Sequence, residues 1–185
     1  MSSRLEKIKL LLLDVDGVLT DGRITFDSRG VETKSFDVKD GHGLKLVQRA
    51  GIRIGIITGR SSSIVTIRAR ELGIDLVYQG AKVKLEPYLQ ILDICSLRDE
   101  EVAYVGDDLV DLPILQRVGF AVAVADAVEE VRNRVHYVTR QPGGRGAVRE
   151  VCDLLLKESG RWDELTSRYF DLSAEGPKTA PPGRE

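Results

Sequence analysis

The sequence predicts an α/β domain on a doubly wound, Rossmann-like parallel sheet. Its apolar runs are short and rich in Leu, Val and Ile, as in strands buried on both faces. Stretches of helical periodicity alternate with them, as crossover helices do. No internal repeat divides the 185 residues, a length that suits one domain, expected over 1–172.

Residues 8–15 are the first strand candidate. Residues 21–36 follow as an insertion, in which 23–26 and 32–36 flank Asp27-Ser28-Arg29-Gly30 and read as a hairpin with a four-residue loop. Residues 43–50 read as a short helix and 52–58 as the second core strand. Ser61 suits the cap of a helix over 62–72, and Gly73 its end. Residues 76–78 form a third strand, 85–95 a helix with Pro87 in its first turn, and 102–106 a fourth strand. A helix over 111–118, a strand over 120–124, a helix over 128–135 and an edge strand over 137–139 complete the alternation. Residues 143–146, Gly-Gly-Arg-Gly, read as a flexible loop before a strong helix over 147–159, which 162–170 extend. The Pro-, Gly- and Ala-rich end, 173–185, is expected to be disordered.

With 27 basic and 29 acidic residues the net charge is −2, too near zero for a nucleic-acid or membrane-surface protein. Aromatic residues, at 5%, offer no base-stacking platform. The apolar run before Asp14 is too short for a secretion signal or a membrane span, so a soluble, cytoplasmic protein is expected. Cys95 and Cys152 form no CxxC motif and are expected as buried thiols within helices.

Doubly wound sheets bind ligands beyond the carboxyl ends of their strands. After the first strand come Asp14, Asp16 and Gly17; after the second, Thr58, Gly59 and Arg60. Beyond the third lies Lys84; after the fourth come Asp107, Asp108 and Asp111. Converging carboxylates are costly unless a cation neutralises them, and an all-oxygen set suits Mg²⁺. The bland reading is that each carboxylate merely caps a helix.

DVDGVLTDG at 14–22, ITGR at 57–60, Lys84 and GDDLVD at 106–111 resemble, in order, the four motifs of the haloacid-dehalogenase phosphohydrolase superfamily. With KSFDVKDGHG at 34–43 and GGRGAVREVCDLLL at 143–156, the resemblance narrows to its 3-deoxy-D-manno-octulosonate 8-phosphate phosphatases, over about residues 9–169. It implies Mg²⁺-dependent phosphomonoester hydrolysis through an aspartyl-phosphate. Asp14 would be the nucleophile and a metal ligand. Asp16 would be the acid and base, touching substrate and turning its backbone carbonyl to the metal. Thr58 and Lys84 would hold the phosphoryl group, with backbone N–H groups near 15–17 and at Gly59. Asp107 would be the third protein side of the metal site. Asp108 would orient Lys84 or a metal-bound water, and Asp111 would either join the site or only cap a helix.

For the sugar, whose acid group wants cations, the candidates are Arg60 at the mouth of the site, Arg68, Lys45 with the preceding loop of Asp37, Val38, Lys39, Asp40 and Gly41, and, as the resemblance implies, Arg145. Independently, Lys45 falls in the first turn of the 43–50 helix, where a cation opposes the macrodipole and suggests a bound anion. Arg68 lies four residues from Ile64 and Leu72, on an apolar helix face. Surface charge, snorkelling or a subunit salt bridge are the plain alternatives. His42 reads as a solvated loop histidine. The spacing between Asp16 and Thr58 leaves no room for a large cap domain, so the hairpin is the one insertion. A capless site leaves water exclusion to other subunits, and the related phosphatases are homotetramers.

Three other readings remain. A nine-carbon, sialic-type sugar 9-phosphate phosphatase is one, although in that branch the position of Arg60 resembles an acidic residue. A phospho-receiver domain has similar residues but the reverse order of acidic pair and acceptor, and lacks the equivalent of Asp16. The last is a silent tetrameric interaction module.

Overall fold

The protein is described by a computed structural model over residues 2–170; the tail expected from 173 onward lies outside the described residues. In chain order the elements are α1 (Ser2–Leu5), β1 (Leu10–Leu13), β2 (Thr25–Phe26), β3 (Glu32–Thr33), α2 (Val38–Arg49), β4 (Arg53–Ile57), α3 (Ser63–Leu72) and β5 (Leu76–Tyr78). They continue with α4 (Leu85–Cys95), β6 (Val102–Gly106), α5 (Leu112–Leu115), β7 (Phe120–Ala123), α6 (Glu129–Arg132), β8 (Tyr137–Val138), α7 (Ala147–Glu158) and α8 (Trp162–Thr166).

The main sheet runs β5-β4-β1-β6-β7-β8, and every neighbouring pair is parallel. From β1 the chain winds outward through β4 to β5. It then crosses back to β6 and winds the other way. Right-handed crossovers therefore put α2 and α3 on one face and α4, α5 and α6 on the other. α7 returns to pack along α2. Leu10–Leu13 are wholly buried, as are the residues of β6 and β7, so these strands carry no polar alternation. Among the described residues there is no separate cap domain; only the hairpin β2–β3 stands outside the sheet. Its loop is closed by Asp27, whose carboxylate accepts the N–H groups of Arg29 and Val31.

Several expected boundaries shift for identifiable reasons. α2 begins at Val38, not 43, because Asp37 caps it by accepting the Lys39 N–H at 2.7 Å. Gly41 and Gly43 look like helix breakers in sequence, but here they admit neighbours. A β-carbon would stand 2.5 Å from Arg68 Nη2 at Gly41 and 2.8 Å from Arg149 Cδ at Gly43. α3 is capped at Ser62, not Ser61, and the Gln79 side chain, rather than a serine hydroxyl, accepts the Ser62 N–H. α5 is a single turn after a 3₁₀ turn, Leu109–Asp111. α8 does not extend α7, since Gly160 turns the chain between them with φ +68°. Cys152 is buried, but Cys95 is only half-buried.

Asp40 serves the fold. α7 starts at Gly146, which has no side chain to cap it, and Asp40 Oδ1 accepts the Arg149 N–H at 2.7 Å from the neighbouring helix. Its Oδ2 is buried without a hydrogen-bond partner. Burial, more than any neighbouring charge, pushes the carboxyl up to about 6. The folded value exceeds the unfolded one. The resulting stabilisation is therefore complete below about pH 4 and is lost as pH rises through about 6. It amounts to at most about 3 kcal/mol. Thermal unfolding at pH 5 and 7.5 should show wild type losing more stability than Asp40→Asn as pH rises; parallel losses would show that this carboxyl titrates normally.

Candidate active site

The sheet reverses its winding between β1 and β6, and a crevice opens there at the carboxyl ends of the strands. Asp14 follows β1 and Asp107 follows β6, so the two face each other across that crevice. Thr58 follows β4, buried, with its backbone held by Tyr78 and Ala81 of the adjoining strand and loop. Lys84 starts α4 and reaches Asp14 Oδ2 at 2.6 Å. Asp14 Oδ1 accepts the Val15 N–H at 2.7 Å, so that amide holds the carboxylate and is not available to the phosphoryl group. Gly17 has φ +90°, and a β-carbon there would overlap the Asp107 carboxylate; glycine lets the two loops meet.

Asp111 is the hub beneath these groups, with no exposed surface. Its Oδ1 accepts from Lys84 Nζ at 2.7 Å and from the Tyr104 hydroxyl at 2.6 Å. Its Oδ2 accepts the N–H groups of Asp107 at 3.0 Å and Asp108 at 3.3 Å. Four donors satisfy a carboxylate fully. Asp111 therefore fixes the loop after β6 and aims Lys84 at Asp14. The role expected of Asp108 toward Lys84 is filled by Asp111, while Asp108 is exposed and caps its own turn through the Leu109 N–H. Tyr104 was not legible as a site residue: it points from the middle of an apolar strand and has no local motif.

A second cluster joins the hairpin to the loop after β1. Lys34 forms an ion pair with Asp16 Oδ1 and stands 3.6 Å from Glu32; Arg60 stands 3.7 Å from Asp16 Oδ2 and 2.6 Å from Glu32. Glu32 and Lys34 are absent from the sequence-derived site. Their spacing, two apart on an extended segment that puts both on one face, was the available signal. Hydrogen bonding and these cations hold Glu32 below the usual carboxylate range.

Other expected residues are committed elsewhere. The Lys45 amine bonds the Leu72 carbonyl at 2.6 Å, at the end of α3, and lies well inside α2 rather than in its first turn. Arg68 pairs with Glu71 at 3.2 Å and lies over the Phe36 ring, packed against Gly41. Asp37 caps α2, and Val38 is exposed. Lys39 and Arg145 line a cavity of about 520 Å³ beside α7, together with Arg140 and Arg149. His42 is exposed and meets the Tyr169 ring edge-on. The 143–146 loop is not loose. Gly144 donates to the Val18 carbonyl at 2.9 Å, and a β-carbon on Gly143 would overlap the Gly17 carbonyl.

The donor set fits a hard divalent cation. Carboxylate oxygens of Asp14, Asp107 and Asp111 lie within 4.8 Å of one another. Asp111 is saturated, which leaves Asp14 and Asp107 as the side chains able to hold an ion. Burial raises the Asp14 carboxyl, with Asp111 adding to it; burial and then the Asp14 charge push Asp107 up to about 8. Crowding of this kind is what a cation relieves. Two carboxylates with room for water and a phosphate oxygen is the pattern of Mg²⁺.

A family profile described as haloacid dehalogenase-like hydrolase matches residues 42–119. The chain is 49% identical over 162 residues to 3-deoxy-D-manno-octulosonate 8-phosphate phosphatase KdsC of Escherichia coli K12, covering 88% of this chain and 86% of that one. It is also similar to the crystal structure of 3-deoxy-D-manno-octulosonate 8-phosphate phosphatase from Moraxella catarrhalis in complex with magnesium ion, phosphate ion and KDO. There the TM-score is 0.89 and the identity 42%, over 91% of this chain and 97% of the other. The cobalt-bound deoxy-D-mannose-octulosonate 8-phosphate phosphatase of Haemophilus influenzae gives a TM-score of 0.85 at 40% identity, over 90% of this chain and 98% of that one.

Proposed function

The chain belongs to the haloacid dehalogenase-like hydrolases, in the branch of the 3-deoxy-D-manno-octulosonate 8-phosphate phosphatases, and on that footing we propose how it works. It is an Mg²⁺-dependent phosphomonoesterase that converts 3-deoxy-D-manno-octulosonate 8-phosphate to the free sugar acid and phosphate. The observation that carries this reading is Asp14, gripped by Lys84, facing Asp107 across the switch of the sheet.

Asp14 attacks phosphorus as the bond to the sugar oxygen breaks, giving an aspartyl-phosphate. Asp16 gives its proton to the departing oxygen. It then takes one from the water that attacks phosphorus and frees Asp14. Lys84 neutralises charge on the phosphoryl oxygens, and the Thr58 hydroxyl and the Gly59 N–H donate to them. Asp14, Asp107 and the Asp16 carbonyl would hold Mg²⁺, which supplies Lewis-acid neutralisation of the phosphoryl charge. Arg60, next to Asp16 and 43% exposed, would meet the acidic sugar.

A cytoplasmic homotetramer completes the reading. Supporting the assembly, Ile24, Phe26 and Val31 are exposed on the hairpin, and the site has no cap of its own. In keeping with a cytoplasmic location, no helix among the described residues is long and apolar enough to cross a membrane.

The test is phosphate release from the eight-carbon 8-phosphate and from a nine-carbon sialic-type 9-phosphate, side by side. The 8-phosphate is expected to have the higher kcat/KM by about tenfold or more, since a misplaced charged contact costs about 1.5–3 kcal/mol. Exhaustive chelation should abolish both activities. Preference for the 9-phosphate would overturn the substrate assignment; full activity after chelation would remove Asp107 from its metal role.

A further inference from the structure

We propose that Lys34 is a positioning residue for catalysis: from the hairpin it fixes the Asp16 carboxylate at the spot where the leaving oxygen is protonated. The inference rests on the acid/base reading of Asp16 given above.

The Lys34 side chain is only 1% exposed, although the hairpin that carries it is a surface element whose two strands are mostly exposed. Its amine is enclosed by two carboxylates, Asp16 Oδ1 and Glu32 Oε1. Burying a lysine carries a desolvation penalty that the pair it forms offsets incompletely. Such an ion pair is thus a poor device for stability. Its geometry makes it a good device for register.

The turn at Gly17 fixes the backbone of Asp16, but it leaves the direction of the side chain to the groups that engage its carboxylate. Among the described residues only Lys34 and Arg60 engage its carboxylate. Arg60 is the looser partner at 3.7 Å, on a side chain 43% exposed. Arg60 is also tied to Glu32 at 2.6 Å, so both cations reach Asp16 from a frame that the hairpin supplies. A general acid acts only within hydrogen-bond reach of its target, and a displacement of about 1 Å can cost about 10²-fold. On this view the hairpin is part of the catalytic apparatus of its own chain.

The experiment follows kcat/KM along simple phosphate monoesters whose leaving groups run from nitrophenols to aliphatic alcohols. This ratio reports only the steps through departure of the leaving group, and such esters carry no sugar to bind. Lys34→Met is expected to slow alcohol esters by about 10–10²-fold and nitrophenyl esters by less than about threefold. Lys34→Arg should restore most of the loss. Lys34→Gln, which keeps a donor without charge, serves in the same way if the methionine variant does not fold. A uniform loss across the series, or no loss, overturns the proposal. Asp16→Asn is run in parallel. If it steepens the leaving-group dependence and the Lys34 variants do not, the positioning role alone falls. If Asp16→Asn itself shows no such dependence, the acid reading falls and the inference with it.

Discussion

Asp14→Asn is expected to lower turnover of the sugar phosphate by about 10⁴-fold or more. The amide is a poor nucleophile toward phosphorus. It also brings no charge to a cation shared with Asp107 and makes a weaker partner for Lys84, now 2.6 Å from the carboxylate. The fold should persist, because the β1 hydrogen bonds and its buried leucines do not depend on this side chain. Initial rates with saturating Mg²⁺, read beside circular dichroism, decide the matter. Acid-quenched enzyme should carry covalent phosphate in wild type and none in the variant. Turnover above about 1% of wild type would mean that another group attacks.

Asp111→Ala should be the most destabilising change in the site. It leaves the Lys84 amine and the Tyr104 hydroxyl, both buried, without their shared acceptor, and frees the N–H groups of Asp107 and Asp108. Removing one member of a buried charged network costs about 3–5 kcal/mol. In a domain of this size that lowers Tm by roughly 10 °C. Turnover should fall as well, since Lys84 loses the group that aims it. A Tm within about 2 °C of wild type would show that water replaces the carboxylate at no cost. Asp111→Asn, which retains one acceptor oxygen, should fall between the two.

Much of this was legible in the sequence because parallel strands announce themselves. The 76–78 and 102–106 strands and the 85–95 helix stand where apolar runs and flanking polar residues put them. The chemistry at the strand ends followed from topology, and Asp14, Lys84 and Asp107 do converge. What escaped depends on contacts between distant segments. The start of α2 was missed because Gly41 and Gly43 weaken a helix locally, while the side chains that occupy their space, Arg68 and Arg149, belong to other helices. Tyr104 was missed for the same kind of reason, and Lys34 in part: its spacing signals Glu32, but nothing local signals Asp16. Lys45 does not stand in a first turn, as the short helix predicted; it lies well inside α2 and serves the carbonyl end of α3.

The seat of Gly143 and Gly144 on the Gly17–Thr20 turn has a consequence for the order in which the site is assembled. The turn beside the nucleophile and the glycines that brace it are separated by most of the domain, so a long stretch of chain lies between them. During synthesis β1 also awaits β6, its partner across the crevice. Contacts between such distant parts of a chain form late and slow folding. A nascent chain that ends before residue 143 therefore holds every motif aspartate, Thr58 and Lys84, yet lacks the brace that shapes the first of its loops. Until that segment docks the first loop is unseated, so the site takes its final shape only once residues distant in the chain have closed on it.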